Sequence, residues 1–165
     1  FEPDLMTIAK GIAGGMPISA VTGRAEIMDS SHPGGIGGTF GGNPVSAAAA
    51  VAVLKQIEAG GVLEKASHIE SVMKPRLLAM KEKYQVIGDV RGRGAMLALE
   101  FVKPGTREPN SAAVDAVIKH SHQNGVVVLN AGTYGNVIRF LPSLAISDEL
   151  LLDALDVVEA GIASL

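Results

Sequence analysis

Three residues carry charge or a hydroxyl where the surrounding chain gives no ordinary reason for one. Lys10 lies in "MTIAKGIAGGMP", between an apolar approach and a run of glycines. It is either a solvated side chain at the edge of a buried segment or an amine wanted in a pocket. Met6, Ile8 and Ile12 lie close by, and a lysine desolvated among them has its pKa lowered, giving the free amine that attacks aldehydes. Thr39 lies in "GGIGGTFGG", residues 34–42. That stretch is either a flexible surface loop or a set of backbone N–H groups that, with the Thr39 hydroxyl, receives a phosphate. Arg139 interrupts the apolar strand pattern "VIRFLP". A buried guanidinium needs a protein carboxylate or an anionic ligand, and its fork matches a carboxylate bidentately.

Other chemistries fit poorly. Counting from Gly35 and Gly37, the third glycine of a dinucleotide fingerprint falls on Phe40, and no Gly-Lys-Ser/Thr follows to make a P-loop. His32, His68, His120 and His122 show no metal-ligand spacing and read as structural. The "DSSHP" stretch lacks the strand–turn–helix elbow of a serine nucleophile. Arg91 and Arg93, on either side of Gly92, read as a turn with solvated charges. Cysteine is absent, which excludes disulfides and thiolate metal sites and fits a reducing compartment. A net charge of −3, with both signs mixed along the chain, gives no basic face for nucleic acid. The longest apolar run, "AAAAVAVL", is far short of the roughly 20 residues that span a bilayer, so no membrane is expected. No signal peptide opens the chain, which starts at Phe1 in the middle of an apolar phrase.

The elements that must position these residues can be read from pattern. "MPISAVTG" (16–23) has the character of a buried strand, and 29–43, with six glycines, is loop. Asn43-Pro44 opens an alanine-rich helix that stops at Gly60-Gly61, small all round and so expected to be packed on several sides. A second helix covers 62–83, with Pro75 as a place for a kink. Residues 84–102 read as two strands meeting at "RGRG", and 111–125 as a helix ending at Asn124-Gly125. Strands at 126–130 and 137–142 flank "AGTYGN", and a last helix over 147–165 starts from Ser147 with Asp148 and Glu149 in its first turn.

In combination, "PDLMTIAKGIAGGMPISAVTGR", "GGTFGGNPVSAAAA", "VRGRGAMLALEF" and "GTYGNVIRFLPSLAI" resemble the class III pyridoxal-phosphate-dependent aminotransferases, nearly end to end and in the family's order. Within the family the likeness points to the bacterial branch acting on 4-aminobutyrate. The resemblance covers the carboxyl-terminal part of a longer chain. It implies an α/β chain, the carboxyl-terminal part of the fold type I transferase. Residues 1–60 would be the end of the large cofactor-binding domain with an interdomain helix, and 61–165 the small carboxyl-terminal α+β domain.

The resemblance also implies roles. Lys10 corresponds to the lysine that bonds to the aldehyde carbon of pyridoxal 5'-phosphate. Thr39, with Gly37 and Gly38, corresponds to the group that holds the cofactor phosphate across a homodimer interface, so Thr39 would serve the neighbouring subunit's site. Arg139 corresponds to the arginine that clamps a substrate carboxylate. The implied activity transfers the amino group of 4-aminobutyrate to 2-oxoglutarate, giving succinate semialdehyde and glutamate, in the cytoplasm. Competing readings are relatives acting on ornithine, acetylornithine or β-alanine, and a non-catalytic truncated fold. The family's aspartate under the pyridine nitrogen, its ring-stacking aromatic residue and further phosphate and substrate contacts would lie upstream of Phe1. The isolated chain is therefore expected to be inactive, to expose apolar surface and to self-associate.

Overall fold

Asn43 shows how directly the local sequence acts. Its side-chain oxygen accepts the N–H groups of Val45 and Ser46 at 3.0 and 3.2 Å, and Pro44 follows with its φ already helical. In the computed structural model, which describes residues 2–35, 37–39 and 41–165, this cap opens the longest helix of the first of two units. The units are Phe1–Gly61 and Val62–Leu165. Phe1, and Ile36 and Phe40 of the glycine loop, lie outside the described residues.

In the first unit, β1 (Leu5–Ile8) pairs antiparallel with β2 (Ala20–Gly23), Leu5 opposite Gly23 and Ile8 opposite Ala20. The strand expected over 16–23 is thus shorter than its apolar run, and it is exposed instead of buried. Turn and bend occupy Gly14–Pro17, so pairing begins only at Ala20. Among the described residues, the short α1 (Ala25–Met28) packs beside the two-stranded ribbon. α2 (Pro44–Glu58) is covered on one side and, as expected of this chain alone, exposes apolar surface elsewhere. Ser46 and Ala50 are buried, but Val45 and Leu54 are 62% and 51% exposed. Among the described residues, the 3₁₀ turn Lys10–Ala13 packs against the helix.

The second unit is built on a four-stranded antiparallel sheet in the order β3-β4-β6-β5, formed by β3 (Ile87–Arg93), β4 (Met96–Phe101), β5 (Leu129–Ala131) and β6 (Val137–Phe140). Side-chain alternation decides its faces. Leu97, Leu99 and Ile138 are 0% exposed and Phe140 is 7% exposed; Leu97 pairs with Phe140 and Leu99 with Ile138, so one face is apolar throughout. α3 (Val62–Lys83), α4 (Ser111–Gln123) and α5 (Asp148–Ala163) supply the rest of this core through Met73, Leu77, Val114, Val117, Leu155 and Val158. Burial of each such side chain contributes about 1.5–3 kcal/mol. Pro75 lies inside α3, which runs on past it.

Three expected boundaries move, each for a local reason. Arg91, Gly92 and Arg93 belong to β3, and the hairpin turns at Gly94-Ala95. Gly92 has φ +129°, and a Cβ there would lie 2.1 Å from the Met96 carbonyl oxygen, so the strand needs glycine at this close approach. β5 begins at Leu129 rather than Val126, because the Val126 N–H still bonds the Ser121 carbonyl at 2.9 Å and the Val128 carbonyl accepts from His122 Nε2 at 3.0 Å. β6 stops at Phe140, two residues before Pro142, which has no N–H to give a ladder. Asn110 and Ser147 cap α4 and α5, accepting the N–H groups of Ala113 and Leu150. Among the described residues, no single helix is long and apolar enough to cross a membrane, and no group of side chains forms a metal site.

Candidate cofactor and substrate sites

β1 ends at Ile8, Ala9 remains extended, and the chain then enters the left-handed region at Lys10, φ 58°. Lys10 is the one non-glycine residue with positive φ among those described. That conformation costs an L-residue roughly 1–2 kcal/mol, so the surroundings must impose it. They do so through Ala13, which is 1% exposed where the 3₁₀ turn meets α2. The Gly14 N–H bonds the Gly11 carbonyl and the Met16 N–H bonds the Ala13 carbonyl, both at 3.1 Å.

Of the two alternatives for Lys10, the side chain is exposed in this chain, and Met6 is itself 49% exposed. Lys10 fronts a hollow of about 440 Å³ lined by Gly11, Gly15, Met16, Pro17 and Ile18. A Cβ on Gly11 or Gly15 would meet no atom within 4 Å, so open space flanks the backbone on this side. A primary amine at a roomy, glycine-lined hollow fits an aldehyde-bearing planar ring.

Gly37, Gly38 and Thr39 are exposed, and the Gly41 N–H closes a turn on the Gly38 carbonyl at 2.8 Å. Gly37 and Gly38 also have open space where a Cβ would stand. A second hollow of about 390 Å³ is lined by Pro17, Ile18, Ser19, Gly41, Gly42 and Asn43. Pro17 and Ile18 line both hollows, so the end of the glycine loop and the Lys10 turn share neighbours. Gly37, Gly38 and Thr39 themselves line neither.

Arg139 lies in the second unit, on β6, opposite Ala98 on one side and Leu129 on the other. The alternation that buries Ile138 and Phe140 turns Arg139 to the open face of the sheet, where it is exposed. The expectation of a buried guanidinium is corrected: Arg139 is exposed and, among the described residues, has no carboxylate partner. Arg139 is among the residues that line a cavity of about 430 Å³, whose other walls are apolar and include Met73, Leu155 and Val158 of the core as well as Val127 and Leu129. Arg91, read from sequence as a solvated turn charge, is on the same face in β3 and bonds Asp89 Oδ2 at 3.0 Å and Glu100 Oε2 at 2.5 Å. The signal available in sequence was the alternation Asp89, Arg91, Arg93, which puts three charges on one side of a strand.

A family model described as aminotransferase class-III matches residues 1–162. The chain belongs to the class III aminotransferases. These are pyridoxal phosphate enzymes, and the fold is that of fold type I. The chain is similar to the 4-aminobutyrate aminotransferase of Mycobacterium tuberculosis, 53% identical over 99% of this chain and 36% of that protein. It is 43% identical to the 5-aminovalerate aminotransferase DavT of Pseudomonas putida, over 99% of this chain and 38% of that protein. A PLP-bound amine transaminase from an uncultivated Pseudomonas species superposes with a TM-score of 0.85 at 30% identity, over 98% of this chain and 38% of that one. This class III chain thus spans little more than a third of the length of the relatives it matches.

Proposed function

We propose that this chain is part of a pyridoxal-phosphate-dependent aminotransferase that transfers the amino group of 4-aminobutyrate to 2-oxoglutarate, giving succinate semialdehyde and glutamate. The observation that carries this reading is a primary amine, Lys10, held on a left-handed backbone beside an open glycine-lined hollow. Bound there, pyridoxal 5'-phosphate supplies an aldehyde for the amino group and a ring that takes up the electron pair of a broken C–H bond. Lys10 Nζ would hold the cofactor at its aldehyde and, as a free amine, would move a proton at the substrate carbon. Gly11 and Gly15 leave room for the ring at the backbone.

In this reading the N–H groups of Gly37 and Gly38 and the Thr39 hydroxyl hold the phosphate, in a homodimer where Thr39 serves the neighbouring subunit's site. Arg139 receives a substrate carboxylate through its guanidinium fork, which has no protein carboxylate competing within the described residues. The 53% identity to the mycobacterial relative named for 4-aminobutyrate supports that compound as donor. The relative named for 5-aminovalerate, one methylene longer, supports the nearest alternative.

The reading is tested in a full-length polypeptide carrying this chain. Borohydride reduction after loading with pyridoxal 5'-phosphate should leave a pyridoxyl group on the Lys10 peptide. A folded protein that repeatedly shows none there would overturn the assignment. A donor panel decides the substrate: 4-aminobutyrate should give a higher kcat/KM than 5-aminovalerate, ornithine or β-alanine.

A further inference from the structure

The open face of the sheet holds two arginines that the cross-strand register sets on either side of one small residue. Arg91 on β3 and Arg139 on β6 both stand opposite Ala98 on β4. Glu100, the next β4 residue on that face, is opposite Asp89 and Val137, so Arg91 and Arg139 are both its diagonal neighbours. Diagonal neighbours on a sheet lie about 7–8 Å apart, within reach of long side chains. Glu100 therefore has two arginines to choose between. It bonds Arg91 at 2.5 Å, while Asp89 braces the same Arg91 nitrogen at 3.0 Å and is itself approached by Lys81 at 3.8 Å.

Resting on the reading of Arg139 as the carboxylate receptor, we infer that Arg91 is a positioning residue that holds Glu100 away from Arg139 and so keeps that guanidinium free for an anionic substrate. Stability offers a weak alternative reason for the Arg91 cluster. The Arg91 and Glu100 side chains are 48% and 34% exposed, and pairs so exposed add little to folding. Without Arg91, Glu100 would turn to Arg139 and compete with the substrate carboxylate. Ala98, which separates Arg91 from Arg139, has too short a side chain to obstruct that turn.

The test is steady-state kinetics of the full-length holoenzyme with 2-oxoglutarate, comparing wild type with R91Q, R91K, R91Q/E100Q and R139M at low salt. R91Q should raise KM for 2-oxoglutarate by about threefold to fivefold with kcat unchanged, the scale of an exposed ion pair. R91K should keep the wild-type KM, and R91Q/E100Q should restore it because no carboxylate is left to compete. The R91Q effect should fade near 1 M salt, where charges are screened within about 3 Å. An unchanged KM in R91Q, or a KM that stays raised in R91Q/E100Q, overturns the inference. R139M separates the two layers. If it raises KM while R91Q does not, only the role of Arg91 fails; if R139M leaves KM unchanged, the reading of Arg139 fails first.

Discussion

Glu70 Oε2, on α3, accepts the backbone N–H of Gly94 at 2.6 Å, so a helix side chain closes the turn between β3 and β4. Its other carboxylate oxygen accepts Lys74 Nζ at 2.8 Å. These bonds, Lys74 first and Gly94 second, hold the Glu70 carboxyl below its ordinary 4.5. A carboxyl depressed in the folded state contributes stability that is present above its unfolded value and lost as pH falls through the folded one. Thermal stability should therefore fall on acidification below about pH 4.5. Glu70→Gln should lower the melting temperature at pH 7 and remove part of that acid dependence. Parallel pH curves for the two proteins would contradict the role given to Glu70.

Lys10 joins two properties that substitution can separate, a left-handed backbone and an amine. Lys10→Ala removes the amine and keeps the strain, whereas Lys10→Gly removes both. Both variants should lose the pyridoxyl adduct and transamination. Lys10→Gly should nevertheless be more stable than Lys10→Ala by about 1 kcal/mol, read from denaturant midpoints. Equal stabilities would mean the backbone strain has no energetic weight.

The Asn43 cap makes two bonds, to Val45 and Ser46 N–H. Asn43→Ala should cost about 1 kcal/mol, and Asn43→Asp much less, since aspartate is an equally good cap. Chemical denaturation of the three proteins would show whether the alanine variant alone loses stability.

What could be read from sequence was what depends on neighbours in the chain. The caps at Asn43 and Ser147 and the glycine stop at Gly125 follow from residues a few positions apart, and they stand as read. β1 is not legible in the local pattern, because "LMTI" gains its partner through pairing with β2, across a connection that local pattern does not encode. The sequence puts the hairpin turn too early because Gly92 looks like a turn residue, while its real constraint is the Met96 carbonyl of the facing strand. Burial in the first unit follows the expectation that this chain alone exposes apolar surface: Val21, Val45, Val51 and Leu54, in the apolar runs at 16–23 and 44–58, are exposed. The exposure of Arg139 was available in principle, since Ile138 and Phe140 cannot share its face.

Arg139 offers the sharpest discrimination between structure and chemistry, because it is exposed and pairs with no carboxylate among the described residues. Replacing it removes no interaction that stabilises the fold, so Arg139→Lys and Arg139→Met should melt within about a degree or two of wild type. Substrate binding should respond in a graded way. Lysine keeps the charge but loses the two-pronged geometry, and methionine loses both. KM for 2-oxoglutarate should rise about tenfold in Arg139→Met, the scale of a charge-assisted hydrogen bond, and less in Arg139→Lys. Reduction with borohydride should still label Lys10 in both, since neither change touches the amine. A melting temperature that drops sharply with KM unchanged would make Arg139 a structural residue whose partner lies in the remainder of the polypeptide.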